Sequence, residues 1–419
     1  MANENIVGVV NTTQTRAEQS ASIKEAIKLK AGVVAIGNGG SSVGVYLRNA
    51  GYPVSFANTS FKDLDTAIVP DDQDAYLIED MNAQSRGAGR DRSIAKEIYK
   101  SWNQTGGIFK SERFDSLMRE NDIIFVIAST AGGTGSGLAP TLSYQISKKY
   151  PDKVVIPVAI LPRDTESIKS QYNTIDYFNE LDSINKAGDV SLSYMVYDLN
   201  NLSHMSADES YKQIATDIVA AINVICGSMS EITKHGMIDE RDMLTIISAP
   251  GLMTIVSDPK IDLNKVGSNG IQHMMLDKLN GSSVCQIQRD KICRYYGVFL
   301  KIQEESEDDV VKNDYTTMTN VTGKPLDIFV NYATTEGSFS SYGMIISGQS
   351  LPFDRINRCA DMVKEYQENQ RAKEYDLSTD MQSLRGLTKN SQHNKLMGCA
   401  SKARTDAIVE GDTLPDFLQ

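Results

Sequence analysis

The sequence predicts an α/β fold, in which a doubly wound parallel-sheet domain is followed by a long helix and by a smaller second α/β domain. The 419 residues are enough for two or three domains of ordinary size. Over residues 32–197, short apolar runs alternate with longer amphipathic stretches. Such runs are typical of a parallel sheet that is buried on both faces. A second group of apolar runs, after a long helical stretch, predicts the second domain.

Five apolar runs predict the strands of the first domain. In a doubly wound sheet, ligands bind beyond the carboxyl ends of the strands, so the segments that follow these runs are where a site is expected. The runs are Val33–Ile36, Tyr76–Ile78, Ile123–Ile127, Val154–Ile160 and Leu192–Val196.

One long helix is predicted from Asp208 to Thr233, a stretch without proline and with a single interior glycine. Its apolar residues recur at spacings of three and four, which predicts one buried face. The largely polar stretch from Phe353 to Asp376 predicts a surface helix. Between the two helices, three apolar runs predict the strands of the second domain: Tyr296–Ile302, Leu326–Tyr332 and Tyr342–Ser347.

These elements divide the chain into six predicted segments. We expect an N-terminal extension with a short helix at its end, the first α/β domain, a connecting helix, the second domain, a C-terminal helix and a flexible tail rich in Ser, Asn, Lys and Gln. In the same order, the segments are residues 1–31, 32–207, 208–236, 237–352, 353–376 and 377–419.

Composition excludes several classes of protein. The chain has 42 Lys and Arg against 54 Asp and Glu, a net charge of −12, which disfavours direct binding to nucleic acid. No apolar run reaches the length of a transmembrane helix, and the first residues do not resemble a signal peptide. Five cysteines without a CxxC pair predict neither a disulfide framework nor a cysteine zinc site. We therefore expect a cytoplasmic protein with no membrane contact.

Three glycine-bearing segments follow predicted strands. The first is Gly37-Asn38-Gly39-Gly40-Ser41-Ser42, placed before a helical stretch from Val43. Its backbone N–H groups and the helix N-terminus suit a phosphate, although a purely structural turn explains it equally well. The second is Gly87-Ala88-Gly89, flanked by Arg86, Arg90 and Arg92. It suits a phosphate edge, and a solvated basic loop is the alternative.

The third segment, Ser129–Gly137, is the most informative. It holds four glycines and interleaved hydroxyls between an apolar strand and a helix predicted from Leu138. Ordering so many glycines costs conformational entropy, which makes a simple turn a poor explanation. No P-loop motif occurs, so a P-loop NTPase is excluded. A Rossmann-type oxidoreductase would explain the first segment and leave this one unexplained.

Two carboxylates, Asp239 and Asp242, begin a predicted helix at a spacing of three, which places them on roughly one face. Two interpretations are open from the residues alone. The pair orients a reacting water, or Asp239 caps the helix and Asp242 favours its positive N-terminal end.

These segments resemble the tubulin/FtsZ GTPases. Ser129–Gly137 is similar to the tubulin signature Gly-Gly-Gly-Thr-Gly-Ser/Ala-Gly, with Ala131 at the first glycine. Gly37–Ser42 and Gly87–Gly89 resemble the first phosphate loop and the γ-phosphate-sensing loop of that family. Ile238–Ser248 resembles the FtsZ synergy loop. The polar leading segment and the long C-terminal helix look most like the TubZ branch, which is carried by plasmids and phages and forms filaments for DNA segregation.

The resemblance implies a fold, a ligand and a set of site residues. It implies a tubulin/FtsZ-like fold that binds GTP or GDP with Mg²⁺, and a hydrolytic site completed by Asp239 and Asp242 of the neighbouring subunit. The implied nucleotide-binding residues are Gly37, Asn38, Gly39, Gly40, Ser41, Ser42, Gly87, Ala88, Gly89, Arg90, Thr130, Ala131, Gly132, Gly133, Thr134, Gly135, Ser136, Glu166, Lys169, Asn200 and Asp217.

The implied partners are copies of the chain itself, in head-to-tail filaments, and a DNA-binding adaptor on a plasmid or phage centromere. Some positions depart from the FtsZ pattern. Met237 stands where FtsZ has an asparagine, and Gln213 stands at the aromatic that stacks on guanine, which leaves Tyr211 as a candidate replacement. The alternatives are an FtsZ-type cell-division scaffold, a hydrolysis-dead tubulin homologue and, more distantly, the Rossmann-type oxidoreductase.

Overall fold

A computed structural model describes residues 29–67, 74–79, 87–227, 238–261, 270–286, 291–303, 315–335 and 339–385. The chain divides into two compact units, residues 1–356 and residues 357–419. Among the described residues, the first unit contains every strand and every helix except most of the last helix. The description below concerns this unit.

Ten strands form one sheet, in the order β3-β2-β1-β4-β5-β6-β7-β10-β8-β9. The neighbours from β3 to β7 and the pair β8–β9 run parallel, whereas β10 is antiparallel to both β7 and β8. The strands are β1 (Ala31–Ile36), β2 (Val54–Asn58), β3 (Ala75–Leu77), β4 (Ile123–Ser129), β5 (Val154–Leu161), β6 (Ser193–Asp198), β7 (Gly251–Ile261), β8 (Tyr295–Gln303), β9 (Asp327–Thr335) and β10 (Ser340–Gln349).

Eleven α-helices lie within the described residues. They are α1 (Gly37–Asn49), α2 (Phe61–Ala67), α3 (Arg92–Gln104), α4 (Glu112–Glu120), α5 (Thr134–Lys149), α6 (Ile168–Ala187), α7 (Ala207–Gly227), α8 (Glu240–Ile247), α9 (Ile271–Asn280), α10 (Thr316–Thr322) and α11 (Phe353–Arg385). Two short 3₁₀ helices, Ile108–Lys110 and Leu199–Leu202, complete the set in this part of the chain. None of the helices described has the length and apolar character needed to cross a membrane.

The first six strands have helices packed on both faces. Alternate residues of β1 enter two different buried clusters: Val33 lies in one, with α1 and α7, and Val34 lies in the other, with α3, α5 and α6. All six residues of β1 are buried. A third buried cluster packs α9 and α10 against β7, β8 and β10. The predicted α/β class with a doubly wound, mostly parallel sheet is therefore confirmed.

The strand predictions are correct for eight strands to within three residues at each end. The sequence pattern missed β2 and β7. The two groups of strands form one continuous sheet, because β6 pairs with β7 through Ser193 and Gly251 and through Tyr194 and Leu252. The six segment boundaries remain predictions. Residues 1–28, 228–237 and 386–419, which hold the predicted N-terminal helix, the end of the connecting helix and most of the tail, lie outside the described residues.

Candidate functional site

A cavity of about 440 Å³ lies at the carboxyl ends of β1, β2 and β4. Its size is within the ordinary range for small-molecule sites. Thirteen of the predicted nucleotide-binding residues line it: Gly37, Asn38, Gly39, Gly87, Ala88, Gly89, Arg90, Ala131, Gly132, Gly133, Thr134, Gly135 and Glu166. The structure thus brings together parts of all three glycine segments.

The first glycine segment belongs to a helix. We predicted a loop before a helix from Val43, but α1 begins at Gly37. Gly37 has a φ of +69°, and a Cβ there would lie 2.8 Å from the backbone nitrogen of Gly135. Only glycine fits this close approach of two backbones. Gly37, Asn38 and Gly39 line the cavity.

The second half of this segment packs away from the cavity. A Cβ on Gly40 would lie 2.3 Å from the carbonyl oxygen of Ile127, so this glycine allows α1 to pack on β4. Ser41 is buried, and the hydroxyl of Ser42 donates to the carbonyl of Asn38 at 3.0 Å. None of the three residues lines the cavity.

The second half of the third glycine segment is likewise the beginning of a helix, since α5 begins at Thr134 and not at Leu138. Ala131 to Gly135 line the cavity. Thr130 and Ser136, both predicted to bind nucleotide, are buried in contacts with the protein. The Thr130 hydroxyl lies 2.8 Å from that of Thr174, and the Ser136 hydroxyl donates to the carbonyl of Gly132.

The N-termini of α1 and α5 meet at the cavity. Neither helix has a side chain that caps its first turn. The first N–H groups of an α-helix have no partner within the helix, and they carry a partial positive charge. Two such termini at one cavity favour an anion with several oxygen atoms, such as a phosphate chain.

The second glycine segment forms another wall of the cavity. Gly87, Gly89 and Arg90 all have positive φ values, of 79°, 57° and 63°. Arg92 lies apart from the cavity lining, because its guanidinium pairs with the Glu180 carboxylate at 2.6 Å in a buried position. Arg86 lies outside the described residues.

The structure adds wall residues to which the sequence reasoning gave no role: Asn58, Ser60, Asp63, Ser129 and Ser170. Asn58 ends β2, and its side-chain Nδ2 is buried without a hydrogen-bond partner among the described residues. A buried, unpaired donor at a cavity suits an acceptor on a ligand. An asparagine at the carboxyl end of a predicted strand would have pointed to this residue. It was not found because the sequence pattern did not predict β2.

Glu166 and Tyr211 line the cavity beyond the glycine segments. The Glu166 carboxylate accepts from the backbone N–H of Arg163 at 3.0 Å. Burial, with the neighbouring Glu166 charge, raises the pKa of the Tyr211 hydroxyl, so this ring stays neutral and can stack or donate. Lys169 lies outside the lining, where its ammonium group is 3.9 Å from the Asp91 carboxylate.

Asn200 and Asp217 also lie outside the cavity lining. The Asn200 amide donates to the Asp164 carboxylate at 2.8 Å, and its oxygen accepts from the Asp164 backbone N–H. The Asp217 carboxylate accepts from the amide of Gln213 at 3.0 Å and from the hydroxyl of Ser283. Their assignment to guanine recognition remains a prediction.

Asp239 and Asp242 form a reciprocal cap on α8. The Asp242 N–H donates to the Asp239 carboxylate at 2.8 Å, and the Asp239 N–H donates to the Asp242 carboxylate at 3.2 Å. Within a single chain, the contacts of these two residues are therefore those that the helix-capping interpretation predicts. Each contact uses one carboxylate oxygen. Neither residue lines the cavity of its own chain.

The described residues hold no cluster of three or more His, Cys, Asp or Glu side chains that could bind a metal. Two carboxylates, Asp63 and Glu166, line the cavity, together with the hydroxyl-bearing Thr134. This set fits Mg²⁺, which binds through one or two protein ligands while phosphate oxygens and water complete its octahedron.

Comparison with known proteins identifies the domain that carries this cavity. Residues 30–190 match the model of the Tubulin/FtsZ family, GTPase domain. The matched residues contain all three glycine segments and most of the cavity wall. They form a tubulin/FtsZ-family GTPase domain. The predicted resemblance to this family is therefore confirmed over these residues.

Individual relatives agree with this family. The chain is 30% identical to the tubulin-like protein TubZ of Clostridium botulinum C phage over 212 residues, which are 50% of this chain and 54% of the relative. It is 25% identical to the tubulin-like protein CetZ of Pyrococcus abyssi over 243 residues, 57% of this chain and 64% of the relative. The match thus spans about half to two thirds of the length of these relatives.

A solved structure extends the likeness of fold to most of the chain. The GTPγS-form protofilament of TubZ from Bacillus thuringiensis serovar israelensis superposes with a TM-score of 0.65 at 17% identity, covering 82% of this chain and 94% of that one. At this identity the match establishes the fold alone. The tubulin/FtsZ architecture therefore extends beyond the residues of the GTPase-domain model.

The Asp217 carboxylate makes stability depend on pH. Burial raises its pKa above the ordinary value of 3.8, although its hydrogen bonds to Ser283 and Gln213 lower it. Between the ordinary and the raised pKa, the folded state binds more protons than the unfolded state, so the free energy of unfolding falls as pH rises. Asp217→Asn removes this titration. We expect the variant to lose less stability than the wild type between about pH 4 and pH 7.

Urea unfolding at a series of pH values measures this difference. Asp327→Asn, at the exposed start of β9, is the matched control and should follow the wild type. Parallel curves for Asp217→Asn and the wild type would contradict the prediction.

Proposed function

We propose that the chain binds GTP in the cavity and hydrolyses it to GDP and phosphate. The observation that carries this proposal is the meeting of two uncapped helix N-termini at a glycine-lined cavity of about 440 Å³. A triphosphate satisfies many N–H groups at once, and the glycines allow its oxygens to approach the backbone. The membership of residues 30–190 in the tubulin/FtsZ GTPase domain supports the choice of GTP over other anions.

The wall residues divide into three roles in this proposal. The N–H groups of Gly132–Gly135 and Gly37–Gly39 hold the phosphate chain, and Gly87–Arg90 contacts the γ-phosphate. Glu166 and Tyr211 lie on the side of the ribose and the base, with Lys169, Asn200 and Asp217 as further candidates there. Mg²⁺, when bound, neutralises phosphate charge, and Asp63 or Thr134 is placed to hold it.

Gly132 provides a test of the proposed ligand. A Cβ on this residue would meet no protein atom within 4 Å, because Gly132 faces the cavity. Gly132→Ala should therefore fold like the wild type while its methyl group obstructs the phosphates. We expect GTP affinity to fall about tenfold or more, as calorimetric titration can measure.

Gly281→Ala is the matched control, because its Cβ would make only an ordinary contact, 3.4 Å from the carbonyl oxygen of Asp277. It should bind GTP like the wild type. Unchanged GTP affinity in Gly132→Ala would place the nucleotide elsewhere.

We further propose that hydrolysis requires a second copy of the chain. Hydrolysis needs a water in line with the γ-phosphate and charges that position it. Asp239 and Asp242 are the candidates, and both lie outside the cavity of their own chain. In a head-to-tail filament, α8 of one subunit would reach the cavity of the next. The protofilament formed by the related TubZ supports this arrangement.

Turnover measured against protein concentration tests this split site. GTPase activity per subunit should be low in dilute protein and should rise above a critical concentration, together with GTP-dependent light scattering. Asp242→Asn keeps an oxygen that can accept from the Asp239 N–H, so the cap on α8 is preserved, but the charge is lost. We expect turnover to fall about 100-fold or more while GTP binding and scattering persist.

Glu240→Gln, the neighbouring exposed position, is the control and should keep its activity. GTPase activity per subunit that does not depend on protein concentration would contradict the proposal of a shared site. Rapid turnover in Asp242→Asn would show that the Asp242 carboxylate has no part in catalysis.

For the biological role, we propose that the filaments move plasmid or phage DNA in the cytoplasm through a DNA-binding adaptor. The similarity to a phage TubZ supports DNA as the cargo. The net charge of −12 disfavours direct contact with DNA, which is why the proposal includes an adaptor. The predicted tail, residues 377–419, whose first nine residues continue α11, is the segment that we propose binds this adaptor.

Inheritance of a replicon tests this role. A replicon that carries the wild-type gene should persist in more daughter cells than the same replicon with the Asp242→Asn allele, because static filaments cannot move their cargo. Plating on selective and non-selective medium counts the loss. Equal inheritance of the two replicons, with both proteins expressed, would contradict DNA segregation and favour a scaffold of the FtsZ type.

A further inference from the structure

The side chain of Asn173 contacts two of the glycine segments at once. This residue lies on α6 and is 1% exposed. Its Nδ2 lies 3.1 Å from the carbonyl oxygen of Arg90, 3.0 Å from that of Ala131 and 3.0 Å from that of Gly132. Arg90 directly follows the second segment, and the other two residues belong to the third. One amide group therefore joins two walls of the cavity that are about 40 residues apart in sequence.

The orientation of this amide follows from its partners. Three carbonyl oxygens can only accept hydrogen bonds, so the NH₂ end of the side chain must face them. The opposite end, Oδ1, is buried and has no hydrogen-bond partner among the described residues. A buried acceptor without a partner is costly. The Asn173 amide therefore lowers stability through its unpaired oxygen. Its NH₂ group, in return, holds the second and third glycine segments together.

The backbone around Asn173 is fixed by a buried ion pair. The Arg92 guanidinium donates to the carbonyl of Ser136 at 2.6 Å and to the carbonyl of Asn173 at 3.3 Å, and it pairs with Glu180. Arg92 begins α3, directly after the second glycine segment. The ion pair therefore joins α3, α5 and α6 beneath the cavity.

The two glycine segments also touch each other directly. A Cβ on Gly133 would lie 2.7 Å from the backbone nitrogen of Asp91 and 3.0 Å from the Cβ of Ala88. At this distance, a shift of one segment alters the position of the other. Asn173 also binds both segments through its amide, so both line the cavity in one fixed arrangement.

We propose that Asn173 is a positioning residue that sets the preference of the site for GTP over GDP. This inference rests on the proposed function, in which the γ-phosphate is the group that the second and third segments bind together. With the segments held in place, their donors are preorganised for that phosphate, and little entropy is lost when it binds. GDP has no γ-phosphate and needs only the first and third segments, so it gains less from the link.

Two variants of Asn173 and one matched control test the proposal. Asn173→Ala removes the link, and Asn173→Asp replaces its donors with a charge that the three carbonyl oxygens repel. Asn185→Ala is the control on the same helix: its amide also makes two backbone hydrogen bonds, both to Leu192, at 2.9 and 2.7 Å. Dissociation constants for GTPγS and for GDP are measured with Mg²⁺ on the full chain, at concentrations that give no light scattering. Thermal unfolding is recorded for each variant.

Both Asn173 variants should weaken GTPγS binding about tenfold or more and GDP binding less than about threefold. Asn185→Ala should keep the wild-type ratio of the two affinities, whatever stability it loses. If Asn173→Ala left the ratio of the two affinities unchanged, either because both fell equally or because neither fell, the inference would be overturned.

Hydrogen exchange in the nucleotide-free chain separates this inference from the proposed function. Asn173→Ala should speed amide exchange in residues 87–91 and 131–134, whereas Asn185→Ala should not. Unchanged exchange in both segments would overturn the link between them, whatever the nucleotide affinities are. A wild-type chain that binds neither nucleotide would overturn the proposed function and, with it, the assigned role in nucleotide preference.

Discussion

The close approach of two helix N-termini is the constraint on which the site depends. α1 follows β1 and packs on one face of the sheet, while α5 follows the neighbouring β4 and packs on the other. Their N-termini meet at the carboxyl ends of these two central strands. The strand order reverses direction between β1 and β4, and such a point is the usual place for a ligand in these folds. A Cβ on Gly37 would lie 2.8 Å from the Gly135 nitrogen. Glycine is therefore required by backbone packing, and the cavity between the two N-termini is a consequence of it.

The same constraint explains which predictions succeeded. Continuous apolar runs such as Ile123–Ile127 identify buried parallel strands, because both faces of these strands are covered. The dense glycines of Ser129–Gly137 identify the site for a related reason. The helix beginnings were placed too late, at Val43 and Leu138, because glycine was interpreted as a sign of a loop. In the structure Gly37 and Gly40 lie in the first turn of α1, and Gly135 and Gly137 lie in that of α5, where the helices pack closely on neighbouring backbone.

Other features could not be predicted because the sequence does not give the direction of a side chain. The hydroxyls of Thr130 and Ser136 lie among those of the third glycine segment, yet they bond within the protein and neither residue lines the cavity. Asn58 was missed because β2, Val-Ser-Phe-Ala-Asn, is short and mixes polar with apolar residues. Asn173 lies on α6, far from the glycine segments in sequence. Its contacts with the cavity wall form only when α6 packs against the two segments, so the sequence alone does not reveal them.

The cap on α8 links the two interpretations of Asp239 and Asp242. Each carboxylate accepts one backbone hydrogen bond from the other residue, so the pair is ordered within a single chain. A charge that is already fixed loses little entropy when a neighbouring subunit brings a nucleotide to it. Capping and catalysis are therefore compatible, since capping uses one oxygen of each carboxylate and leaves the second to orient a water. In the proposed split site, a catalytic group that is preorganised on one subunit, with the phosphate held on another, makes hydrolysis depend on contact between subunits and not on a rearrangement within either.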